Sequence, residues 1–155
     1  MEHLVLSKSS LPKFDNHSDK ITICYAGNLG RFHDLDTFMK TAQYLKNEPD
    51  IVFLFVGEGY QKKTCQAFAQ SQRLTNCQFH SYVAREELGT LLSCVDVGLV
   101  SLHTGHEGLS VPSKTYGLMA AGVPILGLLP KTSEISFSIF TIALFLRIYM
   151  FLLRI

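Results

Sequence analysis

Glu107, Ser113 and Lys114 stand close together in the stretch HEGLSVPSKTYGLMAAGVPILGL, residues 106–128. A carboxylate, a hydroxyl and an amine at this spacing suit a polar, anionic ligand. The carboxylate accepts hydrogen bonds from hydroxyl groups and the amine faces negative charge. Pro112 fixes φ and suits the entry to a helix, and Ser113 is expected to cap its first turn. The start of a helix exposes N–H donors and a partial positive charge, to which Lys114 adds a full one. Gly117, Ala120, Ala121 and Gly122 are small enough for a helix or a ligand to approach closely. The same residues also compose an ordinary loop–helix–strand unit with a solvated lysine.

A second cluster is GNLGRFHDLD, residues 27–36. Gly27 and Gly30 allow tight turns with open backbone amides, and Arg31 and His33 stand where they could meet an anion. A plain β–α turn uses the same residues. The cluster lacks the Gly-Lys-Ser/Thr ending of a Walker loop, and GEGYQK (57–62) lacks the third glycine of a dinucleotide fingerprint. Cys77 and His80, and His103 and His106, have ligand-like spacing. Residues three apart in a strand point to opposite faces, so Cys77 and His80 should not converge, and no metal site is expected. No nucleophile-elbow sequence supports a serine triad.

These loops need a scaffold. Residues 21–27 (ITICYAG) are β-branched and aromatic, and 51–57 (IVFLFVG) form a continuous apolar run, typical of a strand covered on both faces. Shorter strands are expected over 76–82, 96–102 and 123–128. Helical spacing places Leu35, Phe38, Met39, Ala42 and Leu45 on one stripe. Further helices are expected over 60–73 and 85–94, the latter weakened by Gly89, and ahead of the last strand. Strands alternating with helices through short connections predict an α/β fold with a doubly wound parallel sheet. Ligands in such sheets bind beyond the carboxyl ends of the strands. The loops 27–34, 57–61 and 103–114 all leave strand ends there.

With 155 residues, the chain is about one domain long and can bury a core. Its 14 basic and 13 acidic residues leave a formal charge of +1, which argues against a nucleic-acid partner. Cys24, Cys65, Cys77 and Cys94 show no paired spacing and suit reduced thiols of a cytoplasmic protein.

YAGNLGRFHDLDTF, FLFVGEG, FHSYVAREELGTLLSCVDVGLVSL and HEGLSVPSKTYGLMAAGVPIL occur in order along the chain. As a set they resemble the C-terminal, nucleotide-sugar-binding domain of family 4 glycosyltransferases with the GT-B fold, of the bacterial surface-polysaccharide type. The resemblance covers about residues 20–130. It implies a Rossmann-like domain that is the C-terminal half of a GT-B fold, and a retaining transfer from a nucleotide-diphosphate sugar, more often uridine- than guanosine-linked. No cofactor and no protein metal are implied. The resemblance puts Gly27, Asn28, Gly30 and Arg31 near the donor diphosphate. It puts Tyr82, Val83 and Arg85 beside the base, and Glu107 on the donor sugar as the catalytic carboxylate. Gly108 and Leu109 would present backbone to sugar or phosphate, with Ser113 and Lys114 at the diphosphate end of the helix. Many members carry a second glutamate near the ribose, where this chain reads Thr115-Tyr116-Gly117.

The resemblance also implies an organisation: a linker over 1–20, the donor domain over 21–130, and a divergent apolar tail over 131–155. Residues 135–155 approach the length of a membrane span, interrupted by Arg147 and Arg154. Contact with the inner membrane through this tail is expected, as a peripheral or anchored protein. An enzyme of this type needs an acceptor domain facing the donor domain. The expectation is therefore a truncated chain, inactive alone. It would be a binding remnant or a subunit that pairs with a separate acceptor-domain subunit.

Overall fold

The computed structural model describes residues 19–105 and 113–131. Five parallel strands form one sheet: β1 (Ile21–Ala26), β2 (Ile51–Val56), β3 (Cys77–His80), β4 (Val97–Ser101) and β5 (Ile125–Leu128), in the order β3-β2-β1-β4-β5. Between them run α1 (Leu35–Tyr44), α2 (Lys62–Ser71), a 3₁₀ turn (Arg85–Glu87) leading into α3 (Leu88–Ser93), and α4 (Lys114–Ala120). The doubly wound parallel sheet read from the sequence is the fold observed.

Strand alternation explains the two-sided core. Tyr25, Phe53, Phe55 and Leu99 point to one face, where they pack with Leu35, Phe38, Met39 and Ala42 of α1 and Cys65 and Ala69 of α2. Cys24, Leu54, Val56 and Val100 point to the other, against Leu91 and Leu92 of α3 and Leu118 of α4. Each fully buried side chain of the Phe or Leu class contributes about 1.5–3 kcal/mol of transfer free energy. Gly98 of β4 has no side chain because Leu118 fills the space: a Cβ there would lie 2.4 Å from Leu118 Cδ2.

Side chains finish the ends. Asp34 caps α1, accepting from the Thr37 amide at 3.1 Å. Asp96 accepts from the Thr22 amide at 2.8 Å, which fixes the start of β1. Asn76 donates to the Ala42 carbonyl at 2.9 Å, tying the entry of β3 to α1.

Several boundaries differ from the sequence reading. Tyr60 and Gln61 lie in the β2–α2 turn, not in the helix. The helix expected over 85–94 divides into a 3₁₀ turn and a short α-helix. Ser113 precedes α4 with helical backbone angles, and its side chain makes no capping hydrogen bond, so the expected serine cap is not formed. All four cysteines are free, Cys24 and Cys65 buried, Cys77 and Cys94 half-buried. No helix among the described residues is long and apolar enough to cross a membrane. Residues 1–18 of the linker expected over 1–20, and 132–155 of the tail expected over 131–155, lie outside the described residues.

Candidate functional site

The sheet order reverses between β1 and β4. The chain winds outward through β2 and β3, then returns to the other side of β1. A crevice opens at the carboxyl ends of the strands at such a switch point. Here it is a cleft of about 600 Å³. Ala26, Gly27 and Asn28 leave β1 on one side. Tyr82, Val83, Ala84 and Arg85 form a second wall after β3, and Ser113, Lys114 and Gly117 a third at the start of α4. Val56, Leu88, Leu91, Leu92 and Leu118 supply the apolar floor.

Lys114 is the charged group of this cleft with the most constrained surroundings. Its Nζ lies 3.5 Å from the centre of the Tyr25 ring. Its stem runs past Gly27, where a Cβ would sit 3.4 Å from Lys114 Cε. The Nζ is buried and has no hydrogen-bond partner among the described residues. Burial pulls the Lys114 amine down to about 7. The ring face beneath it opposes this by favouring the ammonium.

Tyr25 organises the floor beneath. Its hydroxyl donates to the Asn28 carbonyl at 2.8 Å, so it holds the glycine loop from below. Its ring meets His33 edge-on, with centroids 5.8 Å apart and planes at 70°. His33 Nδ1 lies 2.6 Å from the Ser101 carbonyl. A carbonyl only accepts, so Nδ1 carries the proton and Nε2 is the acceptor of a neutral ring. Burial lowers the His33 pKa, as do the charges of Lys114 and His103, against the opposing bond to Ser101. Burial also pushes the Cys24 thiol beneath the site up to about 12, which leaves it inert as a nucleophile.

Of the sequence-predicted residues, the structure gathers Gly27, Asn28, Tyr82, Val83, Arg85, Ser113 and Lys114 around one cleft. Gly30 lies in the same loop but does not line it. The Arg31 guanidinium is turned away and stacks on the Tyr60 ring, 3.8 Å from its centroid. Glu107, Gly108 and Leu109 fall outside the described residues, as does His106. The sequence reading missed Tyr25. Its one signal was a hydroxyl-bearing ring inside an apolar strand, immediately before the glycine loop. His33 was noted only as a residue able to meet an anion.

Comparison with known proteins agrees with this geometry. Residues 8–128 match the family model described as Glycosyl transferases group 1. Over 112 residues the chain is 34% identical to the "Probable glycosyltransferase WbjE" of Pseudomonas aeruginosa, covering 72% of this chain and 28% of that protein. The C-terminal domain of the glycosyl transferase group 1 family protein LpcC from Francisella tularensis superimposes with a TM-score of 0.57 at 17% identity, over 69% of this chain and 57% of that one. The pneumococcal O-GlcNAc transferase GtfA, solved with UDP and GlcNAc, gives a TM-score of 0.56 at 17% identity, over 72% of this chain and 21% of that one. The chain thus spans less than a third of its curated relative. With its motifs, its parallel sheet and its cleft at the switch point, it belongs to the glycosyl transferases group 1 family and has the Rossmann-like fold of the C-terminal half of a GT-B protein.

Proposed function

We propose that the cleft binds a nucleotide-diphosphate sugar, with UDP as the carrier, for glycosyl transfer in polysaccharide biosynthesis. One observation supports this most: the Lys114 ammonium is buried at the cleft, against Gly27 and Tyr25, with no acceptor among the described residues. An unpaired buried cation is costly, and a diphosphate would give it the missing counter-charge. Gly27 and Asn28 bring backbone to the same place, with Gly30 and Ser113 at its margins. Arg31 would join the anion by leaving Tyr60. The half-exposed Tyr82, with Val83 and Arg85, offers an apolar and cationic wall to a pyrimidine base. UDP in the GtfA structure supports the choice of carrier.

In this reading Glu107 accepts from the sugar hydroxyls, and Gly108 and Leu109 present backbone beside it. The leaving diphosphate is stabilised electrostatically by Lys114 and the loop amides, with retention at the anomeric carbon and no cofactor or protein metal. Transfer then needs an acceptor-binding half facing the cleft, in a further domain or a separate subunit. The chain by itself binds donor without turnover, because only one reactant is held in place. Residues 135–155 bring the cleft to a membrane surface, where a lipid-linked acceptor is met.

Titration calorimetry of the full chain with UDP tests the core of this proposal. Binding weakened by Lys114→Ala and by Tyr82→Ala is expected. A folded chain that takes up no UDP, or binds it equally well in both variants, would refute it. In an enzyme completed with an acceptor half, Glu107→Gln should reduce turnover more than UDP affinity.

A further inference from the structure

The turn between β2 and α2 does not line the cleft, yet it touches both loops that do. On one side, Glu58 O accepts from the Leu29 amide at 2.8 Å, and the Gln61 amide donates to Leu29 O at 3.0 Å. Gln61 Nε2 reaches Gly30 O at 2.6 Å and His33 O at 2.8 Å. On the other side, the Gly57 amide donates to His80 O at 3.0 Å. Lys62 closes this side. Its Nζ donates to Gly57 O at 2.9 Å, Glu58 Oε1 at 2.7 Å and His80 O at 3.0 Å, so all three of its donors are used. The Lys62 side chain is only 12% exposed.

The ties continue past β3. The Glu58 carboxylate, held below its ordinary pKa first by Lys62, is also bonded to the Ser81 side chain. The Tyr82 hydroxyl stands 3.5 Å from Glu58 O. His80, Ser81 and Tyr82 are the residues through which β3 becomes the second wall of the cleft. A surface lysine serving only solubility would not place two donors on carbonyls at the ends of β2 and β3 and the third on the carboxylate between them.

The geometry points to Lys62 as a positioning residue: through Gly57, Glu58 and His80 it holds the Tyr82–Arg85 wall in register with the Gly27–Gly30 loop. This rests on the donor-binding reading above and adds a division of labour. Lys62 sets the base side of the site, while Lys114 faces the anion. Loss of Lys62 therefore discriminates between ligands. A probe that needs the wall suffers, and a probe that needs only the anion subsite does not.

The test compares the full-length chain with Lys62→Met, which keeps the stem and removes the donors, and Lys62→Arg, which keeps a cation and enough donors for the three oxygens. Probes are UDP, uridine monophosphate and inorganic pyrophosphate, read by calorimetry, with amide hydrogen exchange followed over residues 81–85. Lys62→Met should weaken UDP and uridine monophosphate about tenfold, leave pyrophosphate within about twofold, and speed exchange over 81–85. Lys62→Arg should recover most of the loss. Equal weakening of all probes would mark general loosening and overturn the proposal, as would unchanged exchange over 81–85. If the wild-type chain binds none of the probes, the donor-binding reading falls, and the exchange comparison still judges the brace. Should Lys62→Met fail to fold, Glu58→Gln is read in its place. It should speed exchange at Ser81 and Tyr82 and weaken UDP but not pyrophosphate, and no change in either overturns the proposal.

Discussion

The Lys114 ammonium rests 3.5 Å from the centre of the Tyr25 ring, and the Tyr25 hydroxyl donates to the Asn28 carbonyl at 2.8 Å. One side chain thus carries the cation on its face and the glycine loop on its rim. The ring holds Lys114 in the cleft without neutralising it, because a quadrupole attracts a cation but takes no proton and supplies no counter-charge. The ammonium is therefore positioned for an anion that none of the described residues provides.

Lys114→Met follows as a test of opposed effects. Below pH 7 the native chain holds a buried charge that burial disfavours, and Met fills similar volume without it. The variant should be more stable than the parent at pH 6, by ~1–2 kcal/mol in urea denaturation, while losing UDP binding. Destabilisation by the same substitution would mean that the ammonium already has a strong partner.

The pH dependence has a defined sign. Burial lowers the Lys114 pKa to about 7, below its ordinary 10.5. Between these values the unfolded chain holds one more proton at this site than the native chain, so its contribution to stability rises with pH across that window. Anion binding runs the other way, since the charged form must be restored. UDP affinity should fall as pH rises from about 7 to 9, by up to about tenfold per unit, with proton uptake measurable by calorimetry in buffers of different ionisation enthalpy. A flat profile would remove Lys114 from the anion site.

Legibility in the sequence followed burial. β1, β2 and β4 lie inside the sheet with both faces covered, so their apolar runs are continuous and mark them directly. β3 lies at the edge of the described sheet and is half-buried throughout, which left its end at His80 unmarked. Gly89 and the exposed Leu88 weaken the pattern where the 3₁₀ turn passes into α3. The place of Lys114 at a helix start was legible because Pro112, Ser113 and the small residues after it signal one. Arg31 was not, because its orientation depends on the Tyr60 ring, a partner distant in sequence. The role of Lys62 was equally hidden, since two of its three acceptors are backbone carbonyls that no residue type announces.

His33 predicts an acid sensitivity. Its folded pKa is lowered from the ordinary 6.5 by burial first, then by the charge of Lys114. Below 6.5 the unfolded chain takes up a proton that the native chain resists. The stability tied to a neutral His33 is therefore present above 6.5 and is lost as pH falls toward the depressed value. His33→Gln can keep the donor to Ser101 O without titrating. Its melting temperature should depend less on pH between 5 and 7 than that of the parent. Parallel curves would show that His33 does not govern this window.

Gly57 and Gly89 should respond to alanine in opposite directions. Gly57 has φ at +144°, and a Cβ there would lie 1.9 Å from Gly27 O, a backbone atom that cannot swing aside. Relief would require β1 and β2 to part at the ends that shape the cleft, where the Gly27 amide donates to Val56 O at 2.8 Å. Gly57→Ala should destabilise the chain by ~2–4 kcal/mol and weaken UDP binding in whatever fraction remains folded. Gly89 lies within α3, and a Cβ there would meet nothing within 4 Å. Gly89→Ala should instead stabilise by ~0.5–1 kcal/mol through helix propensity alone, with UDP affinity unchanged. Urea denaturation of the pair measures both, and a Gly57→Ala chain as stable as the parent would mean that the close approach of the two loops is not required for folding.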